Sequence, residues 1–135
     1  MNTHRFLFTA GVYPNIKMVR ASLFGLKFEK SIDNSKIDSA LEQVSNLSLQ
    51  EIIVDSKFQH QVTPRQVGMF FYALNGNSAT KTAERFNCKH PNAISAVNKT
   101  CERYELKGYE QITGMIKKVS EITGITVSKD FWNED

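Results

Sequence analysis

With 135 residues, 41% of them hydrophobic and 23% charged, the chain has room for one real core and the balance of an ordinary soluble globular protein. No stretch approaches the ~20 apolar residues that cross a bilayer, and two cysteines without a C-x-x-C pair make no disulfide framework, so a cytoplasmic setting is expected. A net charge of +3 is too small to name a partner by itself.

The chain opens with a short apolar run, Phe6 to Ala10, behind Arg5; Asn15 and Lys17 follow without a small-residue cleavage site, which argues against a secretion signal. From Asn15 to Phe28 an amphipathic helix is expected, weakened by Gly25, with Ile16, Val19, Leu23 and Leu26 at spacings of three and four. Three readings of it stand: a helix packed on the core, which is preferred, a basic arm, or a contact through residues 1–30 to a second copy (a homodimer) or another protein. Ser31 to Ser35 is polar and turn-forming. Residues 1–34 are therefore expected as an extension packing on the core, 35–105 as the core, and 106–135 as a C-terminal helix and tail.

Lys36 to Leu47 predicts a helix with Ile37, Leu41 and Val44 inward, and Leu49, Ile52 and Ile53 a second short one capped by Ser48, with Glu51 in its first turn. Lys57 to Val62 reads as a loop without acids. Thr63 then caps a helix opened by Pro64, whose missing N–H would have no partner there. Val67, Phe70, Phe71 and Leu74 mark its buried face, and Asn75-Gly76-Asn77 ends it, Gly76 being able to turn left-handed. Ser78 caps a small helix with Ala79, Ala83 and Phe86 in the core, and Asn87 to His90 is a short turn. Pro91 opens a third helix, with His90 assigned as a cap.

On that third helix Ile94, Val97, Cys101 and Tyr104 share one face, and Asn92, Ser95, Ala96, Lys99 and Arg103 the other, with no acid before Glu102. A helix that enters the major groove needs such a surface, with amides and hydroxyls for base edges and cations for phosphates. The last two of these helices thus read as a helix-turn-helix within an all-α bundle. Residues 57–103 hold seven cations against two acids, whereas 31–56 hold one against five. Positive charge concentrates where phosphates would be met. Beyond Tyr104 the chain turns acidic; Tyr109 to Thr123 predicts a last helix with Ile112, Met115, Ile116, Val119 and Ile122 inward, and Trp132 is read as anchoring the tail.

The segment from Ser35 to Arg103 resembles the C-terminal DNA-binding domain of the bacterial replication initiator DnaA, a TrpR-like helix-turn-helix. Pro64-Arg65-Gln66 matches the family's Arg-Gln helix opening, and Ser78 to Phe86 its small helix ending in Phe. Asn87 to Ile94 falls on its Gly-Gly-Arg-Asp-His-Thr-Thr-Val recognition turn. The resemblance implies double-stranded DNA as partner, with Lys57, Arg65, Gln66, Lys81, Lys89, His90, Asn92, Ser95 and Lys99 at the DNA. It also implies that Lys57 lies where the family's basic loop reaches the minor groove. The turn departs from the family: Lys89 keeps a cation, Pro91 replaces the base-reading histidine, and Asn92 and Ala93 replace two threonines, Ala93 facing a thymine methyl. The match is thus divergent, and it is read as free-standing, without the ATPase module.

No P-loop, G-x-G-x-x-G or nucleophile motif is present, so no enzyme activity and no cofactor are expected. Cys88, Cys101 and His90 lack a four-ligand spacing, so no metal is expected; Cys101 is read as a packed hydrophobe. The alternative to a DNA-binding regulator is a helical protein-protein interaction module that does not bind DNA.

Overall fold

Residues 32–54 and 57–127 are described by the computed structural model of the chain, and among them all regular structure is helical. The elements are α1 (Asn34–Ser45), α2 (Leu49–Ile53), α3 (Gln59–Leu74), α4 (Ala79–Arg85), α5 (His90–Arg103) and α6 (Glu110–Thr123). The chain builds the expected multi-helix bundle. The helix anticipated over 15–28 and the anchoring Trp132 lie outside the described residues. None of the described helices is long and apolar enough to cross a membrane.

Local chemistry sets the helix ends. Asp33 caps α1 by accepting from the Ser35 N–H at 3.0 Å. At α2, Ser48 and Glu51 form a capping box: Ser48 Oγ accepts from the Glu51 N–H at 3.2 Å, and Glu51 Oε1 accepts from the Ser48 N–H at 3.0 Å. That backbone bond holds the Glu51 carboxyl below its ordinary range.

The start of α3 corrects the sequence reading. Phe58 is its N-cap and Gln59 to Val62 are helical, not loop. The Phe58 carbonyl accepts from the N–H groups of Gln61 and Val62, both at 2.9 Å. Thr63 caps nothing; it is buried, and its hydroxyl accepts from Gln59 Nε2 at 2.6 Å. Pro64 fits inside the helix because it forfeits only the bond to the carbonyl of His60, an exposed residue one turn back.

At its other end α3 closes as anticipated, with Gly76 at φ 90. The Asn77 N–H reaches the Tyr72 carbonyl at 3.1 Å and the Gly76 N–H that of Ala73 at 3.0 Å. Two side chains of the same turn then fasten the chain's beginning. Asn75 accepts from the Ile32 N–H at 2.9 Å and donates to the Ile32 carbonyl at 2.8 Å. The amides of Asn34 and Asn77 exchange hydrogen bonds at 3.1 and 2.9 Å.

The core is centred on α3, which packs on α1, α5 and α6. Phe70 meets Phe71 edge-on, and Tyr72 meets Phe86 likewise, with centroids 5.1 Å apart. Gly68 faces Leu41 and Phe86 where a Cβ would come within 2.7 Å of both, so glycine is what lets α3 sit this close to α1 and the end of α4. On α6, Ile112, Ile116 and Val119 are buried, but Ile122, expected inward, is 45% exposed. Gly124 reverses the chain at φ 79, and Ile125 enters the core in its place.

Candidate nucleic-acid interface

Two short-range devices fix α4 and α5. Ser78 caps α4 by accepting from the Lys81 N–H at 3.1 Å, and α4 buries Ala79, Thr82 and Ala83. Its end is reversed by Asn87 at φ 54: the Cys88 N–H bonds the Ala83 carbonyl at 3.0 Å and the Asn87 N–H that of Glu84 at 3.3 Å. Asparagine tolerates this left-handed position, which explains a tight turn without glycine. Lys89 is extended and leads into α5.

His90 is not the cap it was assigned to be. Lys89 occupies the N-cap without a side-chain hydrogen bond, and His90 is the first helical residue, exposed. Pro91 carries no N–H, so one donor fewer needs a cap there. The faces of α5 also differ from expectation. Ala96, placed outward by the sequence reading, is only 8% exposed yet lines a groove between α5 and α3, whereas Ala93 is fully buried and offers no methyl to a ligand. Ile94 is only half-buried. The reason is size: alanines at 93 and 96 let α5 turn its smallest side chains toward its neighbours, with Val97, Thr100 and Cys101 completing the buried stripe.

What remains outward is Lys89, Asn92, Ser95 and Lys99, all exposed and on one face. Asn92, Ser95 and Lys99 form one wall of a groove of ≈270 Å³, and Arg65 and Gln66 from α3 form the other, over Met69 and Cys88. Five of the nine residues named from the sequence thus meet in one concavity. Lys57, Lys81, Lys89 and His90 lie outside its walls, on the surface.

The cations of this region divide by type. Arg65 donates through Nε to the Ile52 carbonyl at 2.9 Å and through Nη2 to that of Val54 at 2.6 Å, tying α2 to α3. Arg85 pairs with Asp38 at 2.6 Å, and Arg103 stands over the Tyr109 ring at 5.0 Å. The arginines brace the fold, Arg85 doing so while itself exposed, whereas Lys57, Lys81, Lys89 and Lys99 stand exposed on the surface. Burial pushes the Cys88 thiol up, and its Sγ lies 4.0 Å from Met69 Sδ, which suits a packed thiol rather than a thiolate ligand. Among the described residues no group of three His, Cys, Asp or Glu stands together to hold a metal.

Val62, Met69 and Cys88 were not singled out for this groove. The first two lie three or four residues from Arg65 and Gln66, and helical spacing carried back through Gln59 would have found them.

Over 87 residues the chain is 31% identical to the chromosomal replication initiator protein DnaA of Thermotoga petrophila. The match covers 62% of this chain and 20% of that protein, so the likeness is to about a fifth of its length. It supports a DnaA-like relationship. No family model and no solved structure matches the chain.

Proposed function

We propose that the chain binds double-stranded DNA as a divergent relative of the DnaA DNA-binding domain, with residues 35–105 as its core. In this reading α4, the turn and α5 act as a helix-turn-helix, and α5 lies in the major groove. Lys89 and Lys99 neutralise phosphates, Asn92 and Ser95 face base edges, and Gln66 stands at the flanking backbone. The observation that carries it is the exposed stripe of α5: cations, an amide and a hydroxyl, with no acid before Glu102, opposite the buried Ala93, Val97, Thr100 and Cys101. The chain would serve replication or transcription as a regulator without ATPase chemistry.

A gel-shift series of the full chain on random duplex over rising salt tests this. Affinity should fall linearly on a log–log plot, because each neutralised phosphate releases counterions. A Lys89→Glu/Lys99→Glu variant should bind more weakly on every sequence, with a slope shallower by about 2, one per lysine. Absence of duplex binding at low salt, or a variant as tight as wild type, would leave the protein-interaction module as the better reading.

A further inference from the structure

Two helical glycines of this fold stand in opposite surroundings. At Gly68 a Cβ would meet Leu41 and Phe86 at 2.7 Å, so packing within the bundle demands glycine there. At Gly114, in the interior of α6, a Cβ would meet nothing within 4 Å among the described residues. Glycine weakens a helix interior relative to alanine, and no described neighbour gives a reason for one here. Gly114 lines a second cavity, of ≈450 Å³, where the first half of α6 meets the end of α1 at Val44 and the start of α3 at His60 and Pro64. Helical spacing puts this cavity on the far side of α3 from the groove that Arg65 and Gln66 line.

The cavity is the deep end of a longer surface. Met115 is half-buried in its wall, Lys118 follows at its rim, and one turn further along the same face comes Ile122, 45% exposed. α6 packs along α1 with its first turns beside the end of α1, so Ile122 lies toward the end of the bundle where Asn75 holds Ile32. An elongated stripe on one helix, with a glycine at its deepest point, suits a second helix better than a small molecule.

The chain carries such a helix in its own sequence. Asn15 to Phe28, outside the described residues, has Ile16, Val19, Leu23 and Leu26 at helical spacing. As a helix it spans about 20 Å, and α3 covers about the same distance from Asn75 back to the cavity. Ile32, where the described chain begins, is held at the Asn75 end, so the stretch has the length to reach from there to Gly114. Charge points the same way. Residues 1–30 hold five cations against one acid and 31–56 one against five, whereas 57–103 hold seven against two. A basic stretch is therefore drawn to the α1–α6 side, where Glu42 and Glu110 are exposed, and repelled from the lysines of α4 and α5.

We propose that the exposed face of α6 is the docking surface for the chain's own stretch Asn15 to Phe28. Leu26 lies beside Ile122, Ile16 and Val19 enter the cavity, and the two backbones come closest at Gly114. The docked stretch covers the junction of α1, α3 and α6 from outside. It leaves the α5 face open, and it does not depend on whether that face binds DNA.

Hydrogen–deuterium exchange on the full chain tests this. The amides of 16–28 should be protected, equally at low and at high protein concentration. Gly114→Trp, which fills the cavity, and Leu23→Asp should each abolish that protection while the buried amides of α3 keep theirs. Melting temperatures give a second reading through a change of sign. With the stretch docked, Gly114→Ala should lower the melting temperature. In the Leu23→Asp background the same substitution should raise it by about 4 °C, as alanine replaces glycine in an open helix. Wild type without protection over 16–28, protection that survives Gly114→Trp, or Gly114→Ala stabilising in both backgrounds overturns the proposal. Protection that grows with protein concentration overturns it too, and gives the cavity to a second copy of the chain.

Discussion

The Tyr72 hydroxyl donates to Asp38 at 2.7 Å, and this bond joins α3 to α1 beneath α4. Arg85 closes the triangle from α4, donating to the other Asp38 oxygen at 2.6 Å and to the Tyr72 hydroxyl at 3.2 Å. Three helices are thereby registered by three side chains, and α4 in turn sets the entry of α5. Burial, followed by the bond to Asp38, raises the Tyr72 pKa above its ordinary value of 10.0. The native state thus holds this proton more tightly than the unfolded chain does. The corresponding stability is fully present below pH 10 and is lost as pH climbs beyond it.

Tyr72→Phe should therefore lower stability by about 1–2 kcal/mol at neutral pH, where a hydrogen bond to a charged group is removed. Above pH 10 the variant should lose stability less steeply than wild type. Urea unfolding at neutral and alkaline pH reads both effects. Parallel pH curves for the two proteins would show that the phenol proton is not what the triangle depends on. Tyr104, also raised mainly by burial, supplies the residual alkaline slope.

Gly68→Ala pits two terms against each other. Alanine in a helix interior gains up to about 1 kcal/mol over glycine. The added Cβ would sit 2.7 Å from Leu41 Cδ1 and from the Phe86 ring, both fully packed, and overpacking costs about 1–3 kcal/mol. The clash should win, with a net loss of about 1 kcal/mol and a lower melting temperature. A variant more stable than wild type would mean that Leu41 swings aside without penalty.

What was legible in the sequence was what local chemistry decides. The Ser48–Glu51 box, the Ser78 cap, the left-handed Gly76 and the buried Cys101 each follow from a few neighbouring residues, and each stands in the structure. The start of α3 was misread because Pro64 is a strong local signal, whereas the helix begins a turn earlier, where the Phe58 carbonyl accepts from the N–H groups of Gln61 and Val62. The Asn34–Asn75–Asn77 cluster spans more than forty positions and has no periodic signature at all. At the candidate interface the charge count was right but its use was not visible. Cations of one sign look alike in a sequence, and only packing separates Arg65, Arg85 and Arg103, engaged with carbonyls, a carboxylate and a ring, from the exposed lysines.

Arg65 carries a prediction that follows from that division. Its two bonds to the Ile52 and Val54 carbonyls hold α2 against α3. Arg65→Ala should cost about 1–2 kcal/mol in urea unfolding and should also lower DNA affinity without altering which sequences are preferred. Arg65→Lys should recover little of the stability, because an ammonium cannot reproduce a planar fork aimed at two acceptors. Unchanged unfolding midpoints in both variants would remove the tether from the account.

Asn92 carries the sharpest prediction. It is exposed near the start of α5, one position beyond Pro91, and its side chain faces the groove that Gln66 lines from the other side. Pro91 offers bases no donor, Ala93 is buried, and the Ser95 hydroxyl accepts either hydrogen-bond polarity. Asn92 is left as the residue near the start of α5 with a donor and an acceptor side by side, the pattern that pairs with N6 and N7 of adenine. Asn92→Ala should cost about 1–3 kcal/mol on the best site and much less on random duplex, where phosphates supply the affinity. Lys99→Ala should instead weaken both alike. Binding-site selection with wild type and Asn92→Ala decides the matter: one position of the motif should lose its adenine while the others keep theirs. If both proteins enrich the same motif with equal stringency at every position, Asn92 is scaffold and the reading of sequence lies elsewhere.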